Sequence, residues 1–238
     1  EMVDLLEIMA LADERGASDI HIAPLRRPSF RIHGEIVRLE EYEPITCLRS
    51  QVVKVNDKWI GPYIDTKYNP NSTKTHLKAK MRVYRDQPWG QSDAPMLFSC
   101  ASTQNKRFQL QVVPDTSLPG RSRFNLGYGE STAGRVKTVP GYGEHTFDLK
   151  PNGDWKIDGD GPSTAIGNYG GDFTGDHSLY IFARHPNTGD APSDTHYSCA
   201  ALYSMTLSEI EAGELEVVKR KFVPCRRKSD GALGLYDD

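Results

Sequence analysis

The Gly-rich stretch Gly170-Gly171-Asp172-Phe173-Thr174-Gly175-Asp176-His177 sets two carboxylates and an imidazole close together on a turn-forming segment. Hard oxygen donors on such a loop suit calcium, which makes Asp172 and Asp176 the candidate metal ligands. Asp154, Asp158 and Asp160 form a second acidic group around a turn. Neither spacing is that of an EF-hand loop, and Asp with Gly also serves simply to make turns. Trp59, Trp89, Tyr128, Tyr142 and Tyr169 lie in or beside Gly/Pro-rich segments. An exposed ring there can stack on the apolar face of a sugar while Asp, Asn and Arg form a polar rim. The alternative is that these rings cap the edges of the core.

Covalent chemistry has no such candidates. The seven histidines are scattered, and no Ser or Cys motif of nucleophilic type accompanies them. Glutamates gather in the first 43 residues and at Glu209, Glu211, Glu214 and Glu216. No strand pattern therefore shows the paired carboxylates of a glycosidase. The four cysteines, Cys47, Cys100, Cys199 and Cys225, form no Cys-x-x-Cys pair, which argues against zinc. Cys100 and Cys199 sit in apolar strand patterns and read as buried free thiols, although an even count also permits disulfides. The residues point to a binding protein and not to an enzyme.

The elements that hold these residues read as strands. The 238 residues include 21 Gly and 15 Pro, with 37% apolar content, the pattern of many short strands joined by turns. Thr75 to Tyr84 alternates, with Leu77, Ala79, Met81 and Val83 on one face. Phe108, Leu110 and Val112 share a face, and Arg123 to Leu126 is another short strand. His145 to Leu149 and Trp155 to Asp158 flank Asn152-Gly153, a hairpin signal. Ser178 to Ala183 and Cys199 to Met205 are apolar enough for central strands. A net charge of −3 without a basic run argues against nucleic acid as the partner. No stretch reaches the 18 apolar residues of a membrane-spanning helix. The acidic start, Glu1-Met2-Val3-Asp4, lacks the form of a signal peptide, which favours the cytoplasm unless the segment is processed or the protein leaves by another route.

Composition changes near residue 47. Residues 1–46 hold five Arg, no Lys and ten Asp or Glu, whereas all thirteen Lys lie from Lys54 onward. Val3, Leu5, Leu6, Ile8, Met9, Leu11 and Ala12 form one helical face that Gly16 ends. Ile20-His21-Ile22, Phe30 to Ile32 and Ile36 to Leu39 read as strands, the last two a hairpin around His33-Gly34-Glu35. Gly16-Ala17-Ser18-Asp19-Ile20-His21-Ile22, with Pro28, Arg31-Ile32 and Gly34, resembles the N-terminal segment of the type II secretion and type IV pilus ATPases. Those enzymes need a Gly-x-x-x-x-Gly-Lys-Ser/Thr loop. The nearest string, Gly129 to Val136, has Arg135 and Val136 where Lys and a hydroxyl must sit. ATPase activity is not expected, and residues 1–46 read as a fragment or fusion remnant of such a protein.

Residues 47–238 carry a second resemblance. Tyr63-Ile64-Asp65-Thr66 with Tyr68 to Ser72, His145 to Leu149, Leu179 to Ala183, Leu202 to Met205, Phe222 to Arg226 and Asp230 to Asp237 are similar, in order and spacing, to laminin-G-like (concanavalin A-like) modules of bacterial and phage surface proteins. The resemblance implies a mainly β, two-sheet antiparallel jelly-roll sandwich behind a small α+β appendage, and an extracellular or cell-surface location. In that family the final Leu-Tyr-Asp block usually has residues after it, so a truncated C-terminus is expected. The function implied is recognition of glycan or surface protein through rim loops, with calcium as the cofactor the loops could take. The alternatives are an accessory piece of secretion or pilus machinery and a structural spacer.

Overall fold

A computed structural model describes residues 14–15, 17–21, 29–32, 35–38, 42–88, 95–101, 107–114, 122–129, 134–139, 142–151, 155–160, 174–185, 196–211, 215–229 and 232–237. They are mainly β, in antiparallel sheets, with almost no helix. None of the described helix is long and apolar enough to cross a membrane. The helix expected over residues 3–12 lies outside the described residues. After it come β1 (Ala17–His21), β2 (Ser29–Ile32) and β3 (Glu35–Arg38), a three-stranded sheet that contains the expected hairpin.

The larger body holds two sheets. One has eight strands: β4 (Tyr42–Pro44), β5 (Leu48–Ser50), β9 (Thr75–Val83), β14 (Gly143–Leu149), β15 (Trp155–Ile157), β17 (Ala200–Ile210), β18 (Glu216–Arg227) and β19 (Leu233–Asp237). The other has six: β8 (Ile64–Asp65), β10 (Met96–Ala101), β11 (Arg107–Pro114), β12 (Ser122–Gly129), β13 (Gly134–Val139) and β16 (Tyr180–Ile181). β6 (Val53–Val55) and β7 (Lys58–Ile60) form a separate ribbon. Asn56 and Asp57 at its tip both have positive φ, as a two-residue primed turn requires.

Alternation builds the core. Along β9 the buried Leu77, Ala79, Met81 and Val83 point one way, and the exposed Lys78, Lys80 and Arg82 the other. From the second sheet, Phe98, Phe108, Leu110, Val112, Phe124 and Leu126 join the same apolar cluster. Phe124 of β12 meets Phe147 of β14 edge-on across the layers, with ring centroids 5.5 Å apart. This sandwich-like packing lets each sheet hide one face.

Strand β17 is the long central element expected from Cys199 to Met205. It pairs with β9 on one side, and on the other with β5 at its start and β18 further along. β4 meets the far half of β18, so residues 42–50 fill the gap where β17 and β18 diverge. The hairpin expected around Asn152-Gly153 pairs Leu149 with Trp155 and Phe147 with Ile157, although residues 152–154 lie outside the described set. The strand expected from Ser178 to Ala183 is shorter. Leu179 to Ala183 are all buried, but only Tyr180 and Ile181 pair, and Phe182 turns left-handed at φ 69°. A dense apolar run reports burial and not the length of a ladder.

Phe124→Ala removes the ring that joins the layers, and we expect a loss of about 3–5 kcal/mol in unfolding free energy. Urea denaturation followed by tryptophan fluorescence checks it. A loss below about 1 kcal/mol would mean that the two sheets do not depend on this contact.

Candidate functional site

At the β8 edge of the six-stranded sheet the chain forms a polar cleft of about 660 Å³. Two segments far apart in sequence are laced together to build it. Tyr180 pairs with Asp65 and Ile181 with Ile64. Beyond this short ladder, Thr66 donates to the Leu179 carbonyl from its amide (3.0 Å) and its hydroxyl (2.8 Å). The Leu179 amide donates to the Tyr68 carbonyl (2.8 Å) and the Gly175 amide to the Pro70 carbonyl (2.6 Å). Gly175 must be glycine for this approach, since a Cβ there would lie 2.8 Å from Cys100 Sγ. The Cys100 thiol donates to the His177 carbonyl at 3.0 Å, and burial pushes its pKa up to about 12. That keeps it protonated and unreactive.

Asp65 organises the floor. Its carboxylate accepts from the Lys67 amide at 2.9 Å, the Lys67 ammonium at 2.7 Å and the Ser178 hydroxyl. Burial acts to raise its pKa, but the bonds from Lys67 and Ser178 outweigh that and hold it below the usual Asp value. Lys67 takes the left-handed conformation, φ 53°, in the turn that brings its ammonium back to Asp65. Tyr68 points inward: its phenol bonds Thr75 at 2.8 Å, and burial pushes its pKa up to about 12.

Four rings line the wall. Tyr63 packs on Tyr180 with centroids 4.9 Å apart, Tyr180 on His185 at 4.3 Å, and His185 on His177 at 4.4 Å. The two imidazoles are nearly parallel, 18° apart. Tyr63 at one end of the row is 40% exposed and His177 at the other is partly exposed, while Tyr180 and His185 between them are buried. His177 Nε2 is shielded from solvent and has no hydrogen-bond partner among the described residues. Asn69 and Asp176 complete the polar rim.

Of the residues singled out from sequence, Asp176 belongs to this cleft and is exposed. Asp172, Trp89 and Tyr169 lie outside the described residues, as does the side chain of Tyr128, whose backbone pairs with Phe108 on β11. Trp59 is on the β6–β7 ribbon with the Lys54 ammonium 6.0 Å from its ring, and Tyr142 packs under the Arg85 guanidinium at 5.6 Å. Neither lines the cleft. Among the described residues no three His, Cys, Asp or Glu side chains gather closely enough to hold a metal. None of the four cysteines is in a disulfide, and all but Cys47 are buried.

No family model and no curated protein matches the chain.

Two further histidines tie strands together. His76, 1% exposed, directs Nε2 to Asp148 at 2.6 Å. Its Nδ1 lies 3.1 Å from Glu216 Oε1, close enough for an electrostatic contact but poorly angled for a hydrogen bond. The Ser208 hydroxyl donates to Glu216 at 2.6 Å, and that bond, opposed by burial and aided by His76 and Lys78, holds Glu216 below the usual Glu range. His145 pairs with Asp158 at 2.8 Å and packs edge-on to Phe124. These groups fasten β9, β14, β17 and β18 to one another. Ser208 is buried, and its hydroxyl bond to Glu216 links β17 to β18.

Because the pKa of Asp65 is lowered on folding, its contribution is fully present above the ordinary carboxylate value and is lost as pH falls through its folded value. Asp65→Asn should therefore cost about 1 kcal/mol at neutral pH. The gap between wild type and variant should close below about pH 4. Chemical denaturation across pH checks this, and a gap that stays constant in acid would contradict the pairing.

Proposed function

We propose that the chain is a non-catalytic recognition module of a bacterial or phage surface protein, of the laminin-G-like jelly-roll type, and that it binds glycan in the Tyr63 cleft. The observation that carries this reading is the row of rings Tyr63, Tyr180, His185 and His177 beside Asn69 and Asp176. A sugar presents an apolar face of C–H groups and an edge of hydroxyls. Tyr63 offers an exposed ring whose packing on Tyr180 holds it in place, so little side-chain freedom remains to be lost on binding. The Asp176 carboxylate and Asn69 amide accept or donate at the hydroxyl edge, in the usual mixture of apolar wall and few polar groups.

Asp65 supports this role without chemistry of its own. Its oxygens are taken up by Lys67 and Ser178, which fixes the loop and leaves recognition to the rim. The lacing of residues 64–71 to 174–181 by backbone bonds makes the cleft rigid before any ligand arrives.

A broad glycan array with the intact chain, followed by calorimetry on its best hit, tests the proposal. Tyr63→Ala should weaken that hit by about tenfold or more. Tyr63→Phe keeps the ring and should retain most of the affinity. Silence across the array, or binding indifferent to Tyr63→Ala in a folded variant, would overturn it.

A further inference from the structure

One end of the eight-stranded sheet carries, on its solvent face, a patch in which cations and tyrosines are interleaved. Strand alternation starts it. Lys80 and Arg82 stand on the exposed side of β9, and Arg49 on the exposed side of β5. Register then sets Glu144 of β14, Arg82 of β9, Ala201 of β17 and Arg49 of β5 in one row. Ala201 is small and buried, and the two arginines flank it with about 10 Å between their strands. Tyr203 of β17 lies beside Lys80, while Tyr84 follows the last residue of β9 and Tyr142 precedes the first of β14.

The cations are held in place without being neutralised. Arg49 Cζ lies 4.5 Å from the centre of the Tyr84 ring, Arg85 Cζ 5.6 Å from that of Tyr142, and Lys80 Nζ 5.2 Å from that of Tyr203. A ring under a guanidinium fixes it but cancels no charge, and the N–H edge stays open to a ligand. The carboxylate of the row, Glu144, is shared. It lies 3.0 Å from the Lys80 ammonium and 3.7 Å from Arg82, and it accepts from the Tyr203 hydroxyl at 3.1 Å. Arg49 and Arg85 are exposed and make no ion pair among the described residues. Asp86, which with Arg49 acts on the Cys199 thiol, is the other carboxylate nearby. Arg49, Lys80, Arg82 and Arg85 thus face only Glu144 and Asp86, a local excess of positive charge in a chain whose net charge is −3.

We infer that this patch docks an extended acidic segment of a partner protein, with Asp or Glu at every second residue. Lys80 and Arg82 are two residues apart on one strand, so their stems are about 7 Å apart. An extended segment presents alternate side chains at the same interval, and successive carboxylates meet successive cations. Each of the Arg49 and Arg82 forks accommodates a carboxylate through two parallel N–H bonds. Single-stranded nucleic acid suits the patch less, because its bases stack on open rings and these tyrosines carry cations. The patch is on the other sheet from the Tyr63 cleft and shares no residue with it, so the two readings stand separately.

Fluorescence anisotropy of a labelled dodecapeptide of alternating Glu and Thr, titrated with the intact chain at low ionic strength, tests the inference. The peptide should bind, and bind more weakly as salt rises. Arg49→Glu should weaken it about tenfold, and Arg49→Lys, which keeps the charge but loses the fork, by less. Lys156→Glu makes a like change of charge on β15, away from the patch, and should leave binding unchanged, as should Tyr63→Ala. A peptide of the same length with Gln for Glu should not bind. Unaltered thermal midpoints show that these variants fold. The inference is overturned if the acidic peptide does not bind, if Arg49→Glu binds it as wild type does, if Lys156→Glu weakens it equally, or if an oligothymidylate of the same length binds as tightly.

Discussion

Strand β9 must bury Leu77, Ala79, Met81 and Val83 while pairing on both sides, and the rest of the molecule is arranged around that requirement. Its backbone groups are satisfied by β14 and β17, which bring Phe147, Leu149, Leu202, Met205 and Leu207 to the same face. That face needs an apolar cover, and β10, β11 and β12 supply it with Phe98, Phe108, Leu110, Phe124 and Leu126. The opposite face of β9 then has to be polar, which is why lysines, hydroxyls and the buried His76 appear there. One alternating strand thus decides both the core and the chemistry of the outer surface.

The Tyr63 cleft depends on the same core from the other side. β16 holds only two paired residues, yet Leu179 to Ala183 are all buried, and Leu179, Ile181 and Phe182 pack in the apolar cluster. Tyr180 and His185 are therefore fixed from below, and Tyr63 rests on them at the solvent edge. The loop across from them is held by Asp65 and by the contact between Gly175 and Cys100. A rigid wall with an exposed ring is what recognition requires, because flexible rings lose affinity to ordering.

Much of the fold could be read before any coordinates. The alternation of β9 and β11, the Asn152-Gly153 hairpin and the central position of β17 are local patterns, and the local pairing rules describe them. The cleft could not be read in that way. Tyr63 and Asp65 come from one end of the body and Asp176 to His185 from more than 100 residues later, and only β8–β16 pairing joins them. Tyr63 to Thr66 and Leu179 to Ala183 lie in blocks quoted for the resemblance to laminin-G-like modules, whereas Asp176, His177 and His185 do not, and nothing in the spacing announces a shared wall. His76 was hidden for a related reason. Alternation puts it on the solvent face, and only the cross-strand neighbours Asp148 and Glu216 cover it.

On the proposed function, a glycan lies against the Tyr63 ring of the cleft wall. Intermolecular nuclear Overhauser effects between a bound oligosaccharide and the carbon-labelled chain address it directly. Binding in the cleft gives contacts from sugar C–H protons to the ring of Tyr63, with weaker ones to Tyr180. Contacts confined to the β6–β7 ribbon or to any other surface, with the Tyr63 ring silent, would contradict it.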